Sequence, residues 1–344
     1  MTPGSDTALP GISVIVITLN EERTIRGCLD SLVALDYPAD SLEIIVVDAS
    51  ADATPAIAAG YPGVRVERSV KGFATQKNAG LALVRHGIVA FTDADCVAPA
   101  GWLRTIARGL ARPEVTGIGG NAFPPPDTGF FGRCVAAVGH PGGGSVGFDA
   151  NVTPERPGGI EFVAGCNGAF RREALLGVGG FDPAFDRGGE DVDISRRLQQ
   201  AGGRLEFVPD MNVYHAPHVP FGAYARWNLR VGASKFALER PGLARLLLDP
   251  RFPLWSALPL AALVALAASR PVAALAAALL GWMVWLGIVY LTARPFPLLL
   301  RRRAQARLPL WAVLTVVPFL VWVRQVAINV GEIAEWRRQR RPSA

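Results

Sequence analysis

The first ninety or so residues alternate short apolar runs with amphipathic stretches. "ISVIVIT" (12–18) is a continuous, mostly β-branched run, too short for a buried helix and typical of a central parallel strand. In "NEERTIRGCLDSLVAL" apolar residues recur at Ile25, Cys28, Leu29, Leu32 and Val33, the spacing of one helix face, with Asn20 placed to cap it. "LEIIVVD" (42–48) predicts a second buried strand, "ADATPAIAAG" a short helix closed by Gly60, and "VRVER" (64–68) a third strand. "FATQKNAGLALVRHG" then predicts a helix and "IVAFTD" (88–93) a fourth strand. Strands and helices in strict alternation argue for a parallel sheet covered by helices on both faces.

The pattern changes twice further on. Residues 119–160 are rich in Gly and Pro and lack periodicity, which fits either a functional lid or a plain surface excursion. "EFVAGCNGAFRREALLGVGGFD" restores order as a strand, a turn and a helix. "GGEDVDISRRLQQAGG" predicts a helix with an acidic start, which the helix dipole favours in any case. Asp193 in it is spaced to pair with Arg197 one turn on, a structural role. "RLEFVPDMNVYHAPH" reads as a short strand followed by His215 and His218.

From Phe252 the chain becomes a membrane-like tail. The segments 252–268 and 271–291 are each long enough, or nearly so, to cross roughly 30 Å of hydrocarbon, and Ser269 and Arg270 form a minimal turn between them. A third apolar segment, 308–323, is shorter, contains Pro318 and runs into Arg324. Arginines lie on both sides of it, so a full span would put one cluster in the wrong compartment. Two spanning helices plus a re-entrant or interfacial segment, about 308–330, are therefore expected, with 221–250 as a juxtamembrane stretch and 1–10 as a disordered leader.

Charge and cysteine content refine this. The net charge is +6, and Arg301, Arg302, Arg303, Arg307, Arg337, Arg338, Arg340 and Arg341 sit beside the apolar tail. That placement points to anionic lipid headgroups and away from nucleic acid. The 4 cysteines, Cys28, Cys96, Cys134 and Cys166, show no metal-ligand spacing and read as reduced, buried thiols. The N-terminus has no signal-peptide pattern, so the first part of the chain is expected on the cytoplasmic side of a multi-pass membrane protein.

In an open α/β sheet, ligands bind beyond the carboxyl ends of the strands. Here those ends carry Thr18 and Asn20, Asp48, and the pair Asp93 and Asp95. Two carboxylates at i and i+2 can aim at one point, where they repel unless a cation lies between them. Mg²⁺ or Mn²⁺ with phosphate oxygens is one reading, and a solvated surface turn is the other.

Together, "VIVITLNEERTI", "LEIIVVDAS", "KGFATQKNAG", "GIVAFTDADC", "FVAGCNGAFRREALLGVGGFD" and "GGEDVDISRRLQQAG" resemble the inverting family 2 glycosyltransferases. The order and spacing match over about 11–216. The resemblance implies an α/β, GT-A fold, Rossmann-like with a mostly parallel sheet, occupying about 11–220 and followed by transmembrane helices. It also implies a nucleotide-sugar donor held by Thr18, Asn20, Glu21, Asp48, Lys77, Asn78 and Asp93. Lys77 and Asn78 stand where the family has an arginine–asparagine pair; lysine keeps the charge and loses bidentate geometry. Asp93 and Asp95 match the metal-holding D-x-D, and His215 resembles a histidine that completes the metal shell in some relatives; a strand-end cap is its plain alternative. Asp191 matches the general base, with Glu190 beside it to position it or raise its pKa. One departure is Ala49, where the family often has a second acid, which leaves the base of the nucleotide unspecified.

The expected activity is transfer of a hexose to a lipid-linked or cell-surface glycan acceptor at a membrane. Arg226 and Trp227 are candidate acceptor contacts, unless their basic, aromatic stretch is an interfacial helix. A catalytically silent membrane scaffold with the same fold is the alternative. A nicotinamide-dependent dehydrogenase is disfavoured, because "TLNEER" and no G-x-G-x-x-G turn follows the first strand.

Overall fold

The computed structural model describes residues 9–138, 159–239, 276, 280–282, 303–304 and 307–340. Most of the leader, residues 139–158 and almost all of the apolar segments 252–268 and 271–291 lie outside the described residues. The chain divides into two units, one of residues 1–123 and 148–215, the other of 124–147 and 216–344.

In the first unit β1 (Ile12–Thr18), β2 (Leu42–Asp48), β3 (Val64–Arg68) and β4 (Ile88–Asp93) pair in parallel, in the order β3-β2-β1-β4. β1 is buried along its whole length. Its alternate residues serve opposite faces, which is why its sequence is mostly apolar and not half polar, with Ser13 and Thr18 its two polar residues. Ile12, Val14 and Val16 pack with Ile25, Leu29 and Leu32 of α1 (Ile25–Val33) and with Trp102, Leu103 and Ile106 of α4 (Trp102–Gly109). Ile15 and Ile17 turn the other way, into a cluster with Ala74 and Leu81 of α3 (Phe73–Leu81). Between β2 and β3 lies α2 (Thr54–Ala59). Asn20 does not cap α1: the helix begins five residues later, at Ile25, and Asn20 takes a positive φ of 59°.

Beyond β4 the sheet is mixed. β7 (Asn167–Arg171) runs antiparallel to both β4 and β6 (Val115–Phe123), and β8 (Arg204–His215) lies parallel to β6. The two-residue β5 (Cys96–Val97) completes the eight strands, antiparallel to β8. The sheet is thus all parallel in its first four strands, which are built from β-α-β crossovers, and mixed beyond them, where the β6–β8 pair alone is parallel. α6 (Arg172–Gly177) and α7 (Glu190–Gln200) follow β7, and Arg197 bonds Asp193 at 2.8 Å as the spacing predicts. The expected short strand is the 12-residue β8.

Asn167, 1% exposed, stitches three strands and a helix together. Its oxygen accepts from the Trp102 indole at 2.9 Å, and its amide donates to the Asn121 and Met211 carbonyls at 2.8 Å each. Both lie at the register shift between β6 and β8, which falls between Gly119 and Asn121. Asn167→Ala is expected to destabilise the protein by about 3 kcal/mol by stranding these buried groups. A fall in the urea midpoint with unchanged slope checks this.

The second unit contains α5 (Phe130–Val138), α8 (Phe221–Glu239), α9 (Leu310–Leu314) and α10 (Val316–Gln339). Cys134, Val135, Tyr224, Val313, Val317 and Leu320 form its core. Pro318 has no N–H to give Leu314, four residues back, and the helix breaks between α9 and α10 at Thr315. The stretch Leu310–Gln339 is long and apolar enough to cross a membrane, with mean hydropathy 1.8 over its best window, and is the one such stretch among the described residues. It also carries a polar seam: buried Glu332 accepts from Lys235 of α8 at 2.7 Å and from Asn329 at 3.0 Å. The four cysteines are free thiols; Cys166 is half-buried and the others buried.

Candidate active site

The carboxyl ends of β1, β2 and β4 lie level: Thr18 pairs with Asp48 in register, and Ile17 with Asp93. Asp48 is completely buried at this edge. It accepts from Thr18 Oγ1 at 2.6 Å, from the Ser50 N–H at 3.1 Å, and from the Arg68 guanidinium. Arg68 also donates to the Ser50 carbonyl at 2.8 Å. Arg68 and Ser50 escaped the sequence reading. The signal for Arg68 was its position, since β3 ends on it directly opposite Asp48 in the parallel register.

Asn20 and Glu21 knit the loop after β1 to the loop after β2. The Asn20 N–H donates to Ser50 Oγ at 2.7 Å, and its side-chain oxygen accepts from Ala51 N–H at 2.9 Å. The positive φ is one that asparagine tolerates, and it turns the chain sharply enough for both bonds. Glu21 N–H donates to Thr54 Oγ1 at 2.8 Å.

Asp93 closes β4, and Asp95 sits in the tight turn into β5. The β5–β8 pairing sets Cys96 opposite His215, which carries the imidazole Nε2 to 3.3 Å from Asp95 Oδ1. Asp95, Cys96 and His215 each offer a ligand atom within 4.8 Å of the other two. Burial, then the neighbouring Asp95, push the Asp93 carboxyl above its usual range. Burial alone would lower His215, yet Asp95 and Asp93 more than offset it and push it up to about 9. Acids gathered this closely, with an imidazole drawn in as counter-charge, fit a divalent cation with oxygen and nitrogen donors. Cys96 fits less well. Burial and the same acids hold its thiol far above the ordinary range, and a hard cation prefers oxygen.

Asp191 is the second residue of α7, which starts after Gly189 with a positive φ of 92°. One carboxylate oxygen accepts from Val192 N–H at 2.8 Å and the other from Gly165 N–H at 3.4 Å. Burial first, and Glu190 next, push its pKa up to about 7. Glu190 itself turns inward, 6% exposed, onto Lys77 Nζ at 2.5 Å. The ammonium lies 5.4 Å and 5.8 Å from the ring centres of Phe181 and Phe91. Burial disfavours its charge, but Glu190, Asp191 and Asp93 together more than offset that.

Both members of the expected nucleotide pair bond to protein groups. Lys77 is committed to Glu190, and Asn78 clasps the Phe181 backbone, donating to its carbonyl at 2.7 Å and accepting from its N–H at 2.8 Å. Arg226 and Trp227 belong to α8 of the second unit, where Trp227 stacks on His218 with ring centres 4.9 Å apart.

Residues 13–178 match Glycosyl transferase family 2, and residues 151–219 match the family described as N-terminal domain of galactosyltransferase. The Pre-mycofactocin glycosyltransferase of Mycobacterium tuberculosis is 27% identical over 220 residues, covering 62% of this chain and 44% of the relative. The Beta-monoglucosyldiacylglycerol synthase of Synechocystis is 32% identical over 207 residues, covering 56% and 41%. The chain thus spans less than half the length of these two relatives. Among solved structures, the mannosyltransferase PcManGT from Pyrobaculum calidifontis, in complex with GDP-Man and Mn²⁺, is 26% identical with a TM-score of 0.56, covering 95% of this chain and 88% of that one. The match over residues 13–178 and the fold shared with that mannosyltransferase show that this chain carries a glycosyl transferase family 2 domain of the GT-A fold.

Proposed function

We propose that the chain is an inverting, cation-dependent glycosyltransferase, which moves a hexose from a nucleoside diphosphate sugar to a lipid-linked or cell-surface glycan at a membrane. One observation supports this reading above the others: buried Lys77 holds Glu190, the neighbour of Asp191 in the chain, at 2.5 Å and lies 5.8 Å from the ring centre of Phe91 in β4, the strand that ends on Asp93.

The residues divide the work. Asp48, held by Thr18, Ser50 and the half-exposed Arg68, would accept from hydroxyls or ring N–H groups of the nucleoside where these take the place of Arg68. Asp93, Asp95 and His215 would hold Mg²⁺ or Mn²⁺. When bound, the cation supplies positive charge to the diphosphate as it departs. Asp191 takes the proton from the acceptor hydroxyl as that oxygen attacks the anomeric carbon. Attack opposite the leaving group inverts the anomeric configuration.

Asp191 works as a base only when ionised, and below its pKa the ionised fraction falls tenfold per pH unit. With that pKa at about 7, kcat/KM is expected to rise tenfold per unit through the acid range and level off above about 7. Initial rates across neutrality check this; a flat profile on the acid side would remove Asp191 from the base's role.

Membrane attachment and a lipid-borne acceptor are supported by the apolar Leu310–Gln339 stretch, the flanking arginines, and a relative whose name is that of a diacylglycerol glycolipid synthase. On this reading the first unit faces the cytoplasm, and 252–268 and 271–291 anchor it. The test is a donor screen in detergent with GDP-mannose, UDP-glucose and UDP-N-acetylglucosamine, in Mn²⁺ or in EDTA, with mass analysis of lipid products. A folded protein showing neither thermal shift nor product with any donor would favour a silent scaffold.

A further inference from the structure

Four consecutive residues of α3, Thr75, Gln76, Lys77 and Asn78, are polar although the helix packs on the sheet. Gln76, 4% exposed, donates to the carbonyls of Thr18 at 3.0 Å and Val47 at 2.9 Å, so it grips the ends of β1 and β2 beside Asp48. The other three side chains point to a different part of the molecule. Asn78 clasps the Phe181 backbone from both sides. Thr75 gives Asp186 its N–H at 2.7 Å and its hydroxyl at 2.6 Å, and Phe73 N–H donates to the Asp186 carbonyl at 3.1 Å. Lys77 holds Glu190.

Phe181, Asp186 and Glu190 are successive points on one stretch of chain that ends at Asp191. Two of the clasps depend on glycines. A Cβ on Gly180 would come within 2.7 Å of Asn78 Oδ1, and one on Gly72 within 2.3 Å of the Asp186 carboxyl carbon. Gly180 also needs its positive φ of 71°. Apolar side chains would have packed this helix at lower desolvation cost; what the polar ones add is direction.

We propose that the turn Thr75–Asn78 is a yoke, which holds the base-bearing segment Phe181–Asp191 at a set position relative to the nucleotide edge at Asp48. Thr75, Asn78 and Asp186 are positioning residues on this view, and none of them touches the donor. The idea rests on the proposed function for its catalytic consequence, and on the clasps alone for its mechanical one.

The test uses the full chain in detergent and compares Thr75→Val with Thr75→Ser, with Asn78→Asp as a second clasp variant. Valine keeps the shape and removes the hydroxyl, whereas serine keeps the hydroxyl. Thr75→Val and Asn78→Asp should each speed hydrogen exchange of the amides in 182–191. With whichever donor of the panel the wild type turns over, both should lower kcat about tenfold to a hundredfold, while the donor KM changes by no more than about twofold. Thr75→Ser should restore both measures. Unchanged exchange in 182–191 overturns the yoke, and so does a donor KM that rises in step with the loss of rate. If the wild type turns over no donor, the glycosyltransferase reading fails by itself, and the exchange comparison still decides whether the segment is clasped.

Discussion

Asp191→Asn is expected to lower sugar transfer by about a thousandfold while leaving donor binding intact. The substitution conserves shape, and its one remaining oxygen can still accept from Val192 N–H. What it loses is proton affinity, the property that burial and Glu190 tune to about pH 7 in the wild type. The Asp48 cluster depends on Thr18, Ser50 and Arg68, and no member of it bonds Asp191. A donor-induced thermal shift equal to wild type, with the rate lost, is therefore the predicted signature. Normal turnover in this variant would sink the assignment of the base.

Asp95→Asn should have the complementary effect, weakening cation-dependent donor binding by about a hundredfold or more and lowering turnover with it. Asp95 sits in a partly exposed turn and is tied to His215 at 3.3 Å, so an amide fits the space. It cannot supply the charge that a cation shared with a diphosphate requires. Titration calorimetry of the donor in Mn²⁺ and in EDTA reads this directly. In the wild type the two curves should differ widely; in the variant they should converge.

The parallel half of the fold was legible because its central strands are buried on both faces and carry short apolar runs, as β1 does from Val14 to Ile17. β6 was not legible for the opposite reason. It is glycine-rich, and the space above Gly117 is filled by Phe170 from β7 and Leu205 from β8, so its burial leaves no apolar pattern of its own. The loss of apolar periodicity from residue 119 therefore falls inside the strand. The extent of β8 was hidden by Pro209 and Asp210, which look like a strand end, although the pairing resumes at Asn212 across a register shift.

In the candidate site, the positions legible in the sequence were those local to a strand end, as at Asp48, Asp93 and Asp95. Positions whose partners lie far apart in the chain were not. The protein partners of Lys77 and Asn78, Glu190 and Phe181, stand more than a hundred residues away. Nothing local to α3 discloses that a whole turn is committed to the segment before Asp191. Thr75, Gln76 and Asp186 went unread for the same reason.

The measurement that bears most directly on the central claim is proton NMR of the sugar transferred or released by the wild-type protein in Mn²⁺, with α-linked nucleotide sugars as donors. A base facing the acceptor across the anomeric carbon from the diphosphate predicts a β-configured product, lost in Asp191→Asn. An α-configured product, or an unchanged yield from Asp191→Asn, would contradict the account.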